Sequence, residues 1–367
     1  MTEIIVIGGG LAGAAAAIGL AQAGKQVRLF DKASGPQHKV CGEFLSGEAV
    51  DYLGRLGIDV AALGGVPIDR VSLQAGTRTS KAKLPFPAWS LSRCRLDAAL
   101  LARAEACGAD VQRAAIVQAL EPGPGGWTIR LHTGEQHRAR DIFLATGKHD
   151  LRGHKRPPGR QNDLVAFKMY YRLPMPATVE LILFPGGYAG LEPVEDGIAN
   201  LCLVLQRQRL ARLGGTWEGV LAHLAATAAP LAEKLSIAQP LWEKPLTITA
   251  IPYGLVQDKT EPGLWRLGDQ AAVIPSFSGD GMSIALHSAA TAVRDYLAGR
   301  SAPASQRTLA GQLRGQVARA TMISQALVHP AGQIILPCLA GLFPVALAVT
   351  ARSTRIKSEY RLSSGKI

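Results

Sequence analysis

The segment Gly8-Gly9-Gly10-Leu11-Ala12-Gly13 constrains this chain more than any other. It follows a short apolar run, Glu3 to Ile7, and opens a stretch rich in alanine and leucine, Leu11 to Ala23, that Gly24 stops. Val27 to Phe30 is a second apolar run and ends at Asp31. Strand, glycine turn, helix and strand within about thirty residues make the unit that holds a dinucleotide. In such a unit Gly8 permits the tight turn, Gly10 lets the backbone approach a pyrophosphate, and Gly13 lets the helix pack closely on the strand. Asp31 stands where a carboxylate accepts hydrogen bonds from ribose hydroxyls, and an acid there disfavours a 2′-phosphate. The alternative is a plain glycine turn with a surface aspartate. This unit alone does not separate NAD from FAD.

Three further segments make that distinction: Ser92-Arg93-Cys94-Arg95-Leu96-Asp97-Ala98-Ala99-Leu100, Phe143-Leu144-Ala145-Thr146-Gly147 and Leu267-Gly268-Asp269-Gln270-Ala271-Ala272. In this order, with the glycine loop, they resemble the flavoprotein family that includes p-hydroxybenzoate hydroxylase and the geranylgeranyl reductases. The resemblance is strongest over residues 1–150 and 262–300. It implies an α/β fold: a Rossmann-like FAD-binding domain of the glutathione reductase type, with an inserted β-sheet substrate domain and a helical C-terminus. The corresponding division is 1–160 and 261–300 for the FAD-binding domain, 161–260 for the β-rich substrate domain and 301–367 for the helical segment.

The cofactor contacts expected on this basis are Gly8, Gly10, Leu11, Ala12, Gly13, Asp31, Lys32, Cys41, Arg93, Val117, Gly268, Asp269, Gly281 and Met282. Arg93 is implied to contact the cofactor, and the backbone near Val117 to meet the adenine. Gly268-Asp269 ends a strand, so its carboxylate is placed to hold the ribityl chain. Pro275 to Met282 is a glycine turn at a helix start, whose N–H groups and positive dipole end suit the negative N1 and O2 edge of a reduced flavin. A helix cap by Asp280 is the alternative there.

Lys39-Val40-Cys41-Gly42-Glu43-Phe44-Leu45-Ser46 resembles the Cys-Gly segment of the reductases, in which the loop approaches the isoalloxazine. Cys41 and Glu43 are therefore the candidate catalytic residues. Cys41 would touch the flavin, bond to it or give a proton to substrate, with Lys39 near enough to lower its pKa, unless it is a buried inert thiol. Glu43 is a second acid, or a cap for the helix expected near Ser46. After Gly147 the family carries an Asp-Gly pair followed by serine and arginine, whereas this chain reads Lys148-His149-Asp150-Leu151-Arg152-Gly153. With no second dinucleotide loop, NAD(P)H is expected only as a transient electron donor.

In the middle of the chain, Val165 to Leu173, Val179 to Phe184 and Ile198 to Leu205 read as strands, and Thr216 to Ala229 as a helix. The alternation of Phe167, Met169 and Tyr171 with Lys168, Tyr170 and Arg172 predicts a sheet with one apolar face, either a pocket wall over the flavin or ordinary core. The stretch from Ala331 to Ala351 is almost uncharged, but Pro337 and Pro344 interrupt it, which points to a pair of helices, either buried or docking on a surface with a peripheral membrane contact, rather than a span.

Composition excludes several functions. With 47% hydrophobic and 19% charged residues the chain is of a folded type. Cys41, Cys94, Cys107, Cys202 and Cys338 are spaced for neither disulfides, metal nor an iron–sulfur carrier. The net charge of +12 is compatible with nucleic acid, an anionic membrane or an anionic small molecule. No aromatic and basic residues interleave as an RNA platform requires, so nucleic acid is not the expected partner and a tRNA-acting flavoprotein is the weakest reading. The basic run Lys148, His149, Arg152, His154, Lys155, Arg156 and Arg160 reads as a solvated loop or a phosphate contact. Met1 to Gly10 contains no leader, which favours the cytoplasm, with membrane association through the C-terminal segment.

Together these features lead to an FAD-dependent oxidoreductase. The leading expectation is a monooxygenase of secondary metabolism, acting on a hydrophobic aromatic or polyketide-like molecule in a water-excluded pocket. The second is flavin-dependent reduction of an isoprenoid or other alkene, with Cys41 as proton donor.

Overall fold

The computed structural model describes residues 2–342 and 345–361. Pro344, one of the two expected helix interruptions, lies outside the described residues. In chain order the first sheet begins with β1 (Thr2–Ile7), α1 (Leu11–Gln22) and β2 (Val27–Phe30). Next come β3 (Phe44–Ser46), α2 (Gly47–Arg55), β4 (Val66–Ala75), β5 (Arg78–Ser90) and α3 (Arg93–Ala106). The chain then forms β6 (Asp110–Gln112), β7 (Val117–Gly123), β8 (Gly126–Leu131) and β9 (Gln136–Leu144).

The first sheet runs in the order β6-β2-β1-β9-β8-β7. The pairings β6–β2, β2–β1 and β1–β9 are parallel, and β7, β8 and β9 form an antiparallel meander. Ile4, Ile5 and Val6 of β1 are buried, as the central strand of a sheet covered on both faces must be. Alanines fill α1 all round because it is enclosed against this sheet, α3 and a later helix.

The second sheet is built mainly from β10 (Leu164–Arg172), β11 (Thr178–Phe184), β12 (Gly187–Val194) and β13 (Ile198–Gln206). After α4 (Arg207–Arg212), α5 (Trp217–Thr227) and α6 (Ala229–Ile237) the chain adds the short β14 (Gln239–Pro240) and β15 (Leu246–Thr249). Their order is β14-β10-β13-β12-β11-β4-β5-β3, with β15 also beside β10. This revises the division read from sequence: β3, β4 and β5 lie inside the span 1–160 yet belong to the second sheet, where β4 runs parallel to β11. The strands of this hairpin were not legible as such, because Arg70, Arg78, Lys81 and Lys83 leave them little apolar periodicity.

The second sheet has two unlike faces. Phe167, Met169, Tyr171, Leu201 and Leu203 pack with Val220, Leu224 and Leu231 of α5 and α6. Of the two readings of the apolar face, pocket wall or ordinary core, this packing selects ordinary core. The reverse face pairs Lys168 with Cys202, and Tyr170 with Asn200, which in turn faces Glu192. That face, polar at one end, looks toward the cofactor loops.

The chain then returns to the first sheet through β16 (Leu264–Arg266), parallel to β9, and α7 (Gly281–Leu297). Last come α8 (Ala302–Val328), α9 (Pro330–Leu342) and α10 (Val345–Ser353). Among the described residues no single helix is long and apolar enough to cross a membrane; α8 and α9 pass that test only together and meet at a bend of 105°.

Candidate active site

Glycine chemistry shapes the first part of the site. Gly8 has φ +104°, and a Cβ there would stand 2.4 Å from the Ala145 carbonyl oxygen. At Gly13 a Cβ would come within 1.9 Å of the Gly8 oxygen, so α1 packs on β1 only because this side chain is absent. Gly10 differs: its Cβ position looks into open space bounded by Arg93 Nη2 at 3.5 Å and Lys39 Nζ at 3.6 Å. No side chain caps α1 and no acid stands in its first turn. The N–H groups of Leu11, Ala12 and Gly13 thus begin a helix with no side-chain acceptor, beside two cations, as an anion site requires.

Asp31 is buried and accepts from Gly9 N and Ala33 N, both at 2.8 Å. These bonds fix the carboxylate at the loop and leave it further lone pairs for hydroxyl donors. The segment leading to Val117 runs beside it, with Asp31 N donating to Gln112 O and Ala115 N to Asp31 O. Lys32 is exposed. A Cβ on Gly268 would lie 3.2 Å from that of Ala12, so the late motif and the early loop meet, and Asp269 sits next to the start of α1.

The basic run is not simply solvated. Arg156 is buried and ties Asp150, Lys148 O and Asp269 O together, with N–O distances of 2.5, 2.8 and 2.8 Å. Asp280 does not cap α7: its carboxylate lies 2.7 Å from Arg355 Nη1, and Arg355 also donates to Ser278 O. The start of α7 at Gly281 and Met282 is consequently free of a side-chain cap, like that of α1.

Cys41 and Glu43 lie in the loop between these parts. Lys39 reaches Asp97 at 2.6 Å instead of the thiol, and the cation beside Cys41 is Arg93. Arg93 itself forks onto Asp97 at 2.9 and 3.0 Å. Burial opposes ionisation of Asp97, but Arg93 and Lys39 hold its carboxyl below the ordinary value.

Glu43 is not a helix cap. Its backbone sits in the left-handed region at φ +67°, and its side chain has no solvent exposure. Oε1 accepts from Lys168 Nζ at 2.5 Å and from Arg93 N at 2.8 Å, while Oε2 accepts from Tyr170 OH at 2.5 Å. Lys168 Nζ is also 3.3 Å from Tyr170 OH. Burial pushes the Glu43 carboxyl up against the opposing pull of Lys168, and burial with the Glu43 charge pushes Tyr170 up. The Tyr170 ring stands 4.8 Å from Trp242 and 5.1 Å from the exposed His38.

Asn200 Nδ2 donates to Cys41 O and Gly42 O at 3.1 and 2.9 Å, holding this loop on the sheet. Burial, and then the nearby Glu43, pushes the Glu192 carboxyl far above its ordinary value, and its Oε2 has no hydrogen-bond partner among the described residues. Beyond these polar groups the same sheet face continues as Val204, Tyr188 and Leu183, packed with Leu73 and Val273. Sequence reasoning found Glu43 but missed Lys168, Tyr170, Glu192 and Asn200. The available signal was a lysine in the middle of a strand whose other residues up to Tyr171 are all apolar.

A flavin dinucleotide fits this set: two helix starts free of side-chain caps, a glycine cradle, a fixed carboxylate and a flanking guanidinium. The fold and the site are of the kind that binds FAD. Residues 1–143 match a family described as FAD binding domain, and the whole chain shares its fold with solved flavin-dependent enzymes. It is similar to flavin-dependent brominase Bmp2, with a TM-score of 0.78 and 17% identity over 99% of this chain and 96% of that one. The myxobacterial chondrochloren halogenase CndH, an FAD-dependent halogenase, superposes with a TM-score of 0.78 and 20% identity over 98% and 92%. A flavoprotein/dehydrogenase from Cytophaga hutchinsonii gives 0.76 and 18% over 96% and 92%. At these identities the likeness is one of fold. Comparison with curated proteins finds no match.

Proposed function

We propose that this protein is an FAD-dependent monooxygenase acting on a hydrophobic, aromatic or polyketide-like small molecule, with NAD(P)H as transient donor. The observation that carries the reading is the Glu43–Lys168–Tyr170 cluster, set between the cofactor loop and a sheet face that turns apolar beyond it. Gly8, Gly10, Leu11, Ala12, Gly13, Asp31, Arg93, Asp269 and the start of α7 would hold the FAD, which supplies electron transfer and oxygen activation. Val204, Tyr188 and Leu183 form a packed apolar layer beside the cluster and keep water from that side of it. Lys168 Nζ and Tyr170 OH keep donors on the two oxygens of Glu43, so a proton moves along a continuous chain of hydrogen bonds without charge being left bare in a dry site.

The test begins with the visible spectrum of the purified protein, followed by anaerobic reduction with NADH or NADPH and then admission of oxygen in the presence of aromatic polyketides. Substrate-dependent oxygen uptake with an oxygenated product supports the reading. Product formed under strict anaerobiosis instead identifies an alkene reductase. Because two of the similar structures are halogenases, the oxygenated reaction is run with and without bromide. A product that requires the halide replaces hydroxylation by halogenation.

A further inference from the structure

The α9 helix is apolar all round: Pro330 to Leu342 contains no charged residue. Such a helix is ordinarily enclosed on every side. Here only one side is. Leu336 and Ala340 pack into the cluster that holds Leu183, Tyr188 and Val204 of the second sheet. The opposite side carries Ile334, Ile335, Leu339 and Leu342 at helical spacing, with Ile334 68% and Leu342 72% exposed. Met322 of α8 and Val349 of α10 are exposed as well. A contiguous apolar stripe of this kind marks a contact surface.

Charge identifies the partner. No aspartate or glutamate occurs between Tyr296 and Ser358, whereas Arg300, Arg307, Arg314, Arg319, Arg352 and Lys357 do. Arg352 and Lys357, just beyond the apolar helices, are exposed, and Arg78 of β5 reaches Cys338 on α9. Lys357 pairs with Glu359 and Arg314 with Asp258, while Arg307 and Arg352 are exposed. Apolar side chains on a segment with this excess of cations suit the headgroup boundary of an anionic bilayer, into which a helix inserts while lying flat. The bend of 105° between α8 and α9 is compatible with a flat helix and not with one crossing the bilayer in line with α8.

We propose that the outer face of α9 docks on an anionic lipid surface. Its inner face then separates lipid from the apolar layer of the second sheet, which lies beside the site proposed above. The docking itself does not depend on the reaction type.

The test is co-sedimentation of the full FAD-loaded protein with vesicles of phosphatidylcholine alone or mixed with phosphatidylglycerol, at low and high salt. Sedimentation with the mixed vesicles is expected, weakened by salt. The triple variant Ile334→Ser, Ile335→Ser, Leu342→Ser is expected to lower the partition coefficient at least tenfold with an unchanged flavin spectrum. Arg352→Glu with Lys357→Glu is expected to weaken binding to the mixed vesicles. Wild type that stays in the supernatant with both vesicle types overturns the proposal, as does a triple variant that sediments like wild type. Light scattering that finds a dimer dissolved by the triple variant also overturns it, since a second copy would then cover the face.

Discussion

Lys168 Nζ stands 2.5 Å from Glu43 Oε1, and neither side chain has any exposure to solvent. The pair bolts the substrate sheet to the cofactor loop, and it does so at a residue whose backbone is already in an unfavourable region. Removing one partner strands a buried charge, which costs about 3–5 kcal/mol. Lys168→Met and Glu43→Gln should each lose stability on that scale. The double variant should lose clearly less than the sum, because it leaves no bare charge. Urea unfolding at fixed FAD concentration measures all three, and strictly additive costs would show that the two groups are not coupled.

The glycine loop makes a prediction of a different kind. An alanine at position 13 would push its methyl carbon into the Gly8 carbonyl at 1.9 Å, so Gly13→Ala should impair folding and FAD uptake together. An alanine at position 10 meets nothing closer than Arg93 at 3.5 Å. Gly10→Ala should therefore leave the apoprotein melting temperature nearly unchanged while weakening FAD binding at least tenfold, as titration by flavin fluorescence would read. Equal FAD affinity in Gly10→Ala and wild type would remove the loop from the binding site.

The first sheet was legible because its signals are local. A strand, a glycine turn and a helix sit within one window, and Asp31 and Gly268-Asp269 mark strand ends that the register brings together. The second site half was not. Lys168 is polar because of what lies across an interface, namely Glu43 on a loop more than a hundred residues earlier in the chain, and no periodicity reports that. The alternation of β10 showed one apolar face, left open between pocket wall and ordinary core, and the structure makes it core. A helix layer on one side and a cofactor domain on the other bury both faces equally well. Asp280 likewise stood at a helix start, where a cap is the ordinary expectation, and was diverted by Arg355 from the far end of the chain.

Arg156 illustrates how much depends on side-chain shape. Its guanidinium donates from three nitrogens to Asp150, Lys148 O and Asp269 O, a fork that a lysine ammonium does not span. Arg156→Lys keeps the charge and should still leave a buried carbonyl unpaired, at a cost of about 1–3 kcal/mol. Because one of those carbonyls belongs to Asp269, FAD affinity should fall with it. Thermal melts and flavin titration together check this, and a variant with wild-type values in both would make Arg156 a surface residue in function.

The Asp280–Arg355 contact links the C-terminal segment to the turn at the start of α7, and it gives stability a pH dependence of definite sign. Burial pushes the Asp280 carboxyl up to about 7, against the pull of Arg355. The folded protein therefore holds a proton there that the unfolded chain, with an ordinary value of 3.8, has already released. Where the native state binds the extra proton, stability falls as pH rises. This group's contribution is complete below about pH 4 and is lost progressively up to about pH 7, by at most ~4 kcal/mol. Asp280→Asn should flatten the dependence across that window. Arg355→Met, which removes the cation that lowers the carboxyl, should carry the loss to higher pH. Chemical denaturation at half-unit steps from pH 4 to 8 resolves the three curves. Parallel slopes for wild type and Asp280→Asn would mean that some other group titrates there, and that the turn before α7 is held by its backbone alone.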